Sequence, residues 1–159
     1  MKKKYFLEVE FINFCKTLKA EQKGKWGKMN ALQMVEHFSD SVRVGNGRSV
    51  FLLQTSSDKI PTMQNFVKSE KEFRENTPNN LIPDNPPVPK NPTIESAIME
   101  LENEIQEFFS IFTQQPNKII QNPFFGDLDF LMWIQLLSKH ALHHAKQFGY
   151  NPEFKFSYA

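Results

Sequence analysis

The chain of 159 residues carries 19 basic and 18 acidic side chains, which gives a net charge of +1, and 40% of its residues are hydrophobic. This length is typical of one domain, here 1–159, and the composition excludes an intrinsically disordered chain. The near balance of charge argues against a nucleic-acid-binding protein, because such proteins normally present a basic face.

The N-terminal residues do not have the pattern of a secretion signal. Glu8 and Glu10 interrupt the apolar run that follows the basic start, so a secretion signal is not expected, and no segment has the length and apolar character of a membrane span. We therefore expect a soluble, cytoplasmic protein without a membrane partner.

Apolar residues at three- and four-residue steps predict the first helix from Tyr5 to Ala20, with the single cysteine, Cys15, as a small buried residue on it.

The second predicted helix carries the first candidate site residue. Asn30 with Gln33 three residues later matches a capping box, which predicts a helix from Ala31 to about Val44. His37 on this helix has apolar neighbours at helical spacing, so its imidazole should lie at the edge of the core. Such a histidine is either a hydrogen-bonded core residue or a metal ligand. Trp26, in the preceding turn, is expected to pack on the helices, with a substrate contact as the alternative.

The middle of the chain predicts a short helix and a long irregular segment. Apolar residues at helical steps predict a third, shorter helix between Pro61 and Phe73. Six prolines lie between Thr77 and Pro92, and each removes a backbone donor and fixes one dihedral angle. We interpret this segment as an ordered crossover loop within one domain, since a linker would leave two halves too small to bury a core.

A long helix is predicted after the prolines. Thr93 is its candidate N-cap, and the apolar stripe continues to about Gln115. The helix dipole favours acidic residues in the N-terminal half of this helix. We expect all four of its glutamates there to be solvated: Glu95, Glu100, Glu102 and Glu104.

The C-terminal part predicts a loop, a final helix and a tail. Asn117 to Gly126 is expected to be a loop, and Asp127 is expected to cap the last helix, from Leu128 to Phe148. The alternating aromatic residues of Asn151 to Ala159 predict an extended tail.

The last predicted helix carries three of the four histidines. His140 and His144 lie on one helix face with Cβ atoms roughly 5–6 Å apart, so they can bind one metal ion together. His37 is the only histidine outside this helix and is the candidate third ligand. Three imidazoles leave coordination positions open, as catalytic metal sites do. The alternative is that His140 and His144 form a polar edge of the helix and bind no metal.

The joint pattern of the second and last helices resembles a known family. The segments WGKMNALQMVEHF (Trp26–Phe38) and FGDLDFLMWIQLLSKHALHHAKQFGY (Phe125–Tyr150) look like the DinB-like superfamily, and in particular its bacterial members. These are four-helix-bundle metalloproteins with one histidine on the second helix and H-x-x-x-H on the last. The resemblance implies an all-α four-helix bundle, with the proline-rich segment as its crossover loop and the short helix as an addition. It also implies His37, His140 and His144 as the metal ligands.

Two further residues fall on motif positions of that family. His143 fits the histidine that adjoins the last ligand and is not expected to bind the same ion; we interpret it as a proton shuttle or, alternatively, as a surface histidine. Gln147 falls on the glutamine of the family's H-H-R-G-Q motif, whereas Ala145 and Lys146 replace the arginine and the glycine.

Characterised relatives in that family include transferases and isomerases that use bacillithiol, mycothiol or glutathione. The resemblance therefore implies a small-molecule substrate, a low-molecular-weight thiol and a divalent cation, with zinc or nickel favoured over manganese or iron. The same ligands suit thiol transfer to an electrophile and water activation for hydrolysis. The alternatives are a non-catalytic, stress-associated bundle that binds metal or a hydrophobic ligand, and a homodimer whose histidines carry no metal.

Overall fold

The computed structural model describes residues 2–77, 79–153 and 157–158. Helix α1 runs without a break through Lys2–Tyr5, Phe6–Glu10 and Phe11–Lys16, and its middle segment is π-helical. The other helices are α2 (Ala31–Gly45), α3 (Ile60–Lys68, after a 3-10 turn at Ser57–Lys59), α4 (Ile94–Gln114) and α5 (Phe130–Gln147). The strands β1 (Ile120–Asn122) and β2 (Gly126–Leu128) form an antiparallel hairpin. The fold is therefore mostly helical, and the four-helix bundle stays a prediction.

One hydrophobic cluster joins residues from all five helices. The apolar stripe of α2 is buried along its whole length: Ala31, Met34, Val35, Phe38 and Val42. Cys15 on α1 is buried as expected, and burial raises its pKa to about 12, so its thiol is protonated at neutral pH. No helix among the described residues has both the length and the apolar character needed to cross a membrane.

Helix α1 ends at Lys16 and not at the predicted Ala20. The next residues serve the start of α2, where the carbonyls of Ala20 and Gln22 accept hydrogen bonds from the N–H groups of Leu32 and Ala31. Because the first N–H groups of a helix have no partner within it, these bonds complete the beginning of α2. The apolar periodicity past Lys16 reflects packing of this connection and not more helix.

The hairpin corrects two predictions at the start of α5. The predicted loop from Asn117 to Gly126 contains β1, and Asp127 pairs with Gln121 in the hairpin and does not cap the helix. The cap is Asp129, whose carboxylate accepts a hydrogen bond from the Met132 N–H at 2.9 Å. Three-residue strands are too short to show an alternating pattern, and the two aspartates are equally good caps in sequence.

Helix α3 is shorter than predicted and ends at Lys68. The N–H and the hydroxyl of Ser69 both donate to the Phe66 carbonyl, which competes with continuation of the helix. Phe73 therefore lies in an irregular segment, residues 69–77, which we call the cover segment. It packs near the histidines of α5.

The proline-rich segment contains no helix or strand among its described residues, as predicted; Pro78 lies outside them. The Glu36 carboxylate on α2 accepts hydrogen bonds from the backbone N–H groups of Lys90 and Asn91 at 3.0 and 2.8 Å. The loop is therefore fastened along α2. The predicted extended tail lies partly outside the described residues, which omit 154–156 and 159.

Glu104 is buried, contrary to the prediction that the four glutamates in the N-terminal half of α4 are solvated. Its side chain is 6% exposed and pairs with Arg43 at 3.3 Å and Arg48 at 2.8 Å. The Asn46 amide also donates to its carboxylate at 2.7 Å. These three partners lie at the C-terminal end of α2, so Glu104 ties that end to the middle of α4. Sequence spacing along α4 does not reveal a partner on another helix.

We expect Glu104→Gln to lower the free energy of unfolding by about 1–3 kcal/mol, because buried hydrogen-bonding groups and Arg43 lose their anionic partner. Urea denaturation followed by circular dichroism measures the change. Glu95→Gln, at an exposed position of the same helix, is the matched control and should change it by less than about 0.5 kcal/mol. Equal effects of the two variants would contradict this role of Glu104.

Candidate metal centre

The local structure of two helices determines where the predicted ligands lie. The capping box of α2 is formed as predicted: Gln33 N–H donates to the Asn30 side chain at 2.8 Å, and Asn30 N–H donates to the Gln33 side chain at 2.9 Å. This cap fixes the first turn of α2, and His37 lies in the following turn. On α5, His140 and His144 lie one turn apart on one face.

The three predicted ligands come together. The Nε2 atom of His140 lies 3.1 Å from that of His37 and 2.8 Å from that of His144. One ligand atom from each residue lies within 4.8 Å of those of the other two. Nitrogen atoms bound to one tetrahedral zinc ion at its usual bond length are roughly 3.3 Å apart. The two distances from the Nε2 atom of His140 are therefore close to those between ligand atoms around one divalent cation.

Burial keeps these imidazoles neutral. It lowers the pKa of His37 to about 4, with a smaller contribution from His143. Burial also lowers the pKa values of His140 and His144 well below the usual range, and the neighbouring histidines lower them further. At neutral pH each ring therefore keeps a lone pair on one nitrogen, which is the form that binds metal.

Gln147 determines which nitrogen of His144 carries the proton. The Gln147 side-chain NH₂ donates to the Trp26 carbonyl at 3.0 Å, and a carbonyl can only accept. The amide oxygen therefore faces His144, whose Nδ1 lies 2.7 Å away and must donate to it. Neutral His144 consequently carries its proton on Nδ1, and the lone pair on Nε2 faces His140 and His37.

Hydrogen bonds among the three imidazoles cannot satisfy both close contacts of His140. With the Nε2 atom of His144 fixed as an acceptor, a proton on the Nε2 atom of His140 can point at His144 or at His37, but not along both directions. Without that proton, two lone pairs face each other at 2.8 Å between His140 and His144. A cation between the three rings would satisfy all three lone pairs, so the arrangement can hold a metal ion.

The turn before α2 makes the Gln147 contacts sterically feasible. A Cβ atom at Gly24 would lie 2.9 Å from Cγ of Gln147, and one at Gly27 would lie 2.9 Å from its Nε2. Gly27 also has a φ of +76°, which residues other than glycine rarely adopt. The Lys25 N–H donates to the Gln147 carbonyl at 2.7 Å. These glycines let the turn approach the end of α5.

The site is enclosed on one side and accessible on the other. His144 is only 3% exposed, whereas His37 and His140 are partly exposed. The Phe38 ring lies 5.3 Å from that of His140, and the Phe73 ring lies 6.1 Å from it. Two ligands thus keep surface that a small molecule can approach, beside apolar walls that reduce access of water.

His143 lies outside the group of three. Its ring lies 5.2 Å from that of His144 and packs against Trp26 at 5.5 Å and Phe73 at 6.1 Å. Burial lowers its pKa, and a hydrogen bond to the Phe73 backbone opposes that shift. The residue is partly exposed, and both of its interpretations, as a proton shuttle and as a surface histidine, stay predictions. Trp26 packs back on the helices as expected.

Sequence reasoning missed two neighbours of the site. Phe73 was expected on the third helix, and no local signal shows that the chain leaves the helix before it. Gln147 was noticed through its motif position, but its link to the Trp26 carbonyl depends on a contact between distant parts of the chain.

Comparisons of the chain with protein-family models, with curated proteins and with solved structures found no match. The DinB-like resemblance therefore stays a prediction from the two histidine-bearing segments. The geometry of the three imidazoles and of Gln147 carries the argument about function.

We expect His144 of metal-free protein to be the Nδ1–H tautomer at neutral pH, because Gln147 accepts that proton. Long-range proton–nitrogen NMR correlations of the imidazoles measure this directly. In Gln147→Leu the acceptor is lost, and we expect the signal to change toward the Nε2–H form. An Nε2–H tautomer in the unaltered protein would contradict the orientation described above.

Proposed function

We propose that His37, His140 and His144 bind one divalent cation and that the protein is a metal-dependent enzyme. The observation that carries the proposal is the convergence of three Nε2 atoms, with His144 held in the metal-binding tautomer by Gln147. Zinc and nickel fit a three-imidazole donor set best, and manganese or iron fit less well because they favour more oxygen ligands.

The proposed chemistry is activation of a nucleophile at the accessible side of the cation. A divalent ion with three neutral ligands lowers the pKa of a thiol or a water molecule, so that either can act as a nucleophile near neutral pH. Transfer of a low-molecular-weight thiol to an electrophile is the first candidate, and hydrolysis is the second. Both use the same three residues, and Phe38 and Phe73 limit access of bulk water.

The DinB-like resemblance supports the thiol reaction over hydrolysis, because its characterised members use low-molecular-weight thiols. It also supports a four-helix bundle as the underlying architecture. The resemblance depends on the segments around His37 and around His140 and His144. The two α5 ligands lie one turn apart and face a histidine of α2, as that family pattern requires.

A non-catalytic protein that binds metal is the alternative, and a hydrophobic-ligand carrier is less well supported. Phe66, Phe73 and Phe125 pack on one another, as residues of a core do. The cavity beside His143 has three charged residues in its lining besides aromatic ones, and these charges favour a ligand with a polar group. A homodimer stays a prediction.

We expect purified protein to contain about one equivalent of a divalent metal, measured by inductively coupled plasma mass spectrometry after dialysis. His140→Ala should lose most of it, because His140 contacts both other ligands. His143→Ala is the matched control on the same helix and should retain the metal. Equal, negligible metal in all three proteins would contradict the metal site and leave only a packed helical fold.

We expect the zinc- or nickel-loaded protein to accelerate attack of a thiol on an activated aryl halide. The sulfur forms the new bond to carbon, the halide leaves, and the thiol proton passes to solvent. His37→Ala should lower the rate to that of the uncatalysed reaction, whereas Glu95→Gln should not change it. Replacing the thiol with an activated ester tests hydrolysis. If no thiol and no ester reacts faster than background with any of the four metals, the protein is the non-catalytic alternative.

A further inference from the structure

A cavity of about 90 Å³ lies directly beside the histidine cluster, on the other side of His143. The side chains that matter here are those of Trp26, Phe73 and His143, together with Glu72, Glu75 and Lys146. This volume accepts a small organic group and not a large apolar ligand. Neither the metal ligands nor the proposed thiol chemistry uses these residues, apart from Phe73.

The cavity combines aromatic rings with excess negative charge. The rings of Trp26 and Phe73 both pack at steep angles against His143, with centroids 5.5 and 6.1 Å from it. Glu72 is neutralised by Lys146, whose Nζ lies 2.6 Å from its carboxylate. Glu75 has no ion pair with any residue in the described part of the chain. The lining therefore carries one uncompensated carboxylate beside three aromatic rings.

An unpartnered donor adds a second indication of a ligand. The indole N–H of Trp26 is buried and has no hydrogen-bond partner among the described residues. A buried donor without a partner costs stability, so this N–H calls for an acceptor, which the hydroxyl oxygen of an amino alcohol can supply and an ammonium group cannot. Trp26 is also the residue whose carbonyl accepts from Gln147, which connects the cavity wall to the metal centre.

We propose that this cavity binds an organic ammonium group. Aromatic rings attract cations through the negative charge on their faces, and a nearby carboxylate adds direct attraction. The ion pair of Lys146 with Glu72 already shows an alkylammonium group held at the rim of this cavity. A ligand ammonium would occupy the remaining space near Glu75, and a hydroxyl oxygen on the same ligand would accept from the indole N–H of Trp26.

The proposal extends to the substrate. Because His143 separates the cavity from His144, an ammonium group bound here would lie a short distance from the proposed cation. Resting on the proposed function, we infer that the thiol or its electrophile carries an amine or a quaternary ammonium group. That group would orient the reacting end toward His37 and His140.

The test is binding of three small probes to the zinc-loaded full-length protein, followed by NMR chemical-shift titration. Choline and ethanolamine carry quaternary and primary ammonium groups, and 3,3-dimethylbutan-1-ol is a neutral molecule shaped like choline. We expect the two cations to shift the signals of Trp26 and His143 and to compete with each other. The neutral alcohol should bind much more weakly. Whichever cation binds more tightly identifies the type of ammonium group.

Variants with opposite expected effects separate binding from a general loss of structure. Glu75→Gln should weaken cation binding roughly three- to tenfold, because it removes the free carboxylate. Lys146→Met should strengthen binding, because it frees Glu72. Glu95→Gln, at an exposed site on α4, is the matched control and should change nothing.

Equal binding of the neutral alcohol and choline would overturn the proposal, as would equal cation affinities in Glu75→Gln and Glu95→Gln. A repeat with chelator-treated protein separates this proposal from the metal hypothesis. Cation binding by the chelator-treated protein would support the cavity independently of the metal centre. Metal binding without cation binding would contradict the cavity alone.

Discussion

The orientation of one amide group determines whether the histidines can act together. Gln147 donates to a backbone carbonyl in the turn before α2 and accepts from His144 on its own helix. Since a carbonyl cannot donate, the amide has only one orientation that satisfies both contacts. That orientation gives His144 its tautomer and turns its Nε2 lone pair toward His37 and His140. The turn, the end of α5 and the proposed metal centre thus depend on the same pair of hydrogen bonds.

The enclosure of the site explains why a cation suits it better than protons do. Burial disfavours the charged imidazolium, so each ring loses its proton more easily than in water. In the neutral rings, hydrogen bonds cannot satisfy all of the close contacts between Nε2 atoms at once. Adding a proton places a full charge on one ring and satisfies one contact, whereas a divalent ion accepts all three lone pairs together. The same burial that removes protons therefore prepares the ligands.

The sequence predicts the positions of the three clustered histidines better than it predicts the structure of the chain around them. The helical spacing of His140 and His144, and the capping box before His37, are local features, and the structure has both. The errors are at Asp127, Phe73 and Glu104, where the outcome depends on partners far along the chain. The cap of α5 depends on the three-residue strand that precedes it, and the end of α3 depends on the hydroxyl of Ser69. The burial of Glu104 depends on two arginines, one near the end of α2 and one just after it.

The histidines of α5 face two different surroundings near the end of that helix. His140 and His144 face α2, where burial and neutral partners suit a metal ion. His143 is turned toward Trp26 and the cover segment, where Glu72 and Glu75 supply negative charge. A helix that places residues three and four positions apart on neighbouring strips can therefore serve both sites at once. This gives the His143–His144 pair a physical reason that metal binding alone does not supply: the ring of His143 forms the wall between the proposed cation centre and the cavity proposed for an ammonium group.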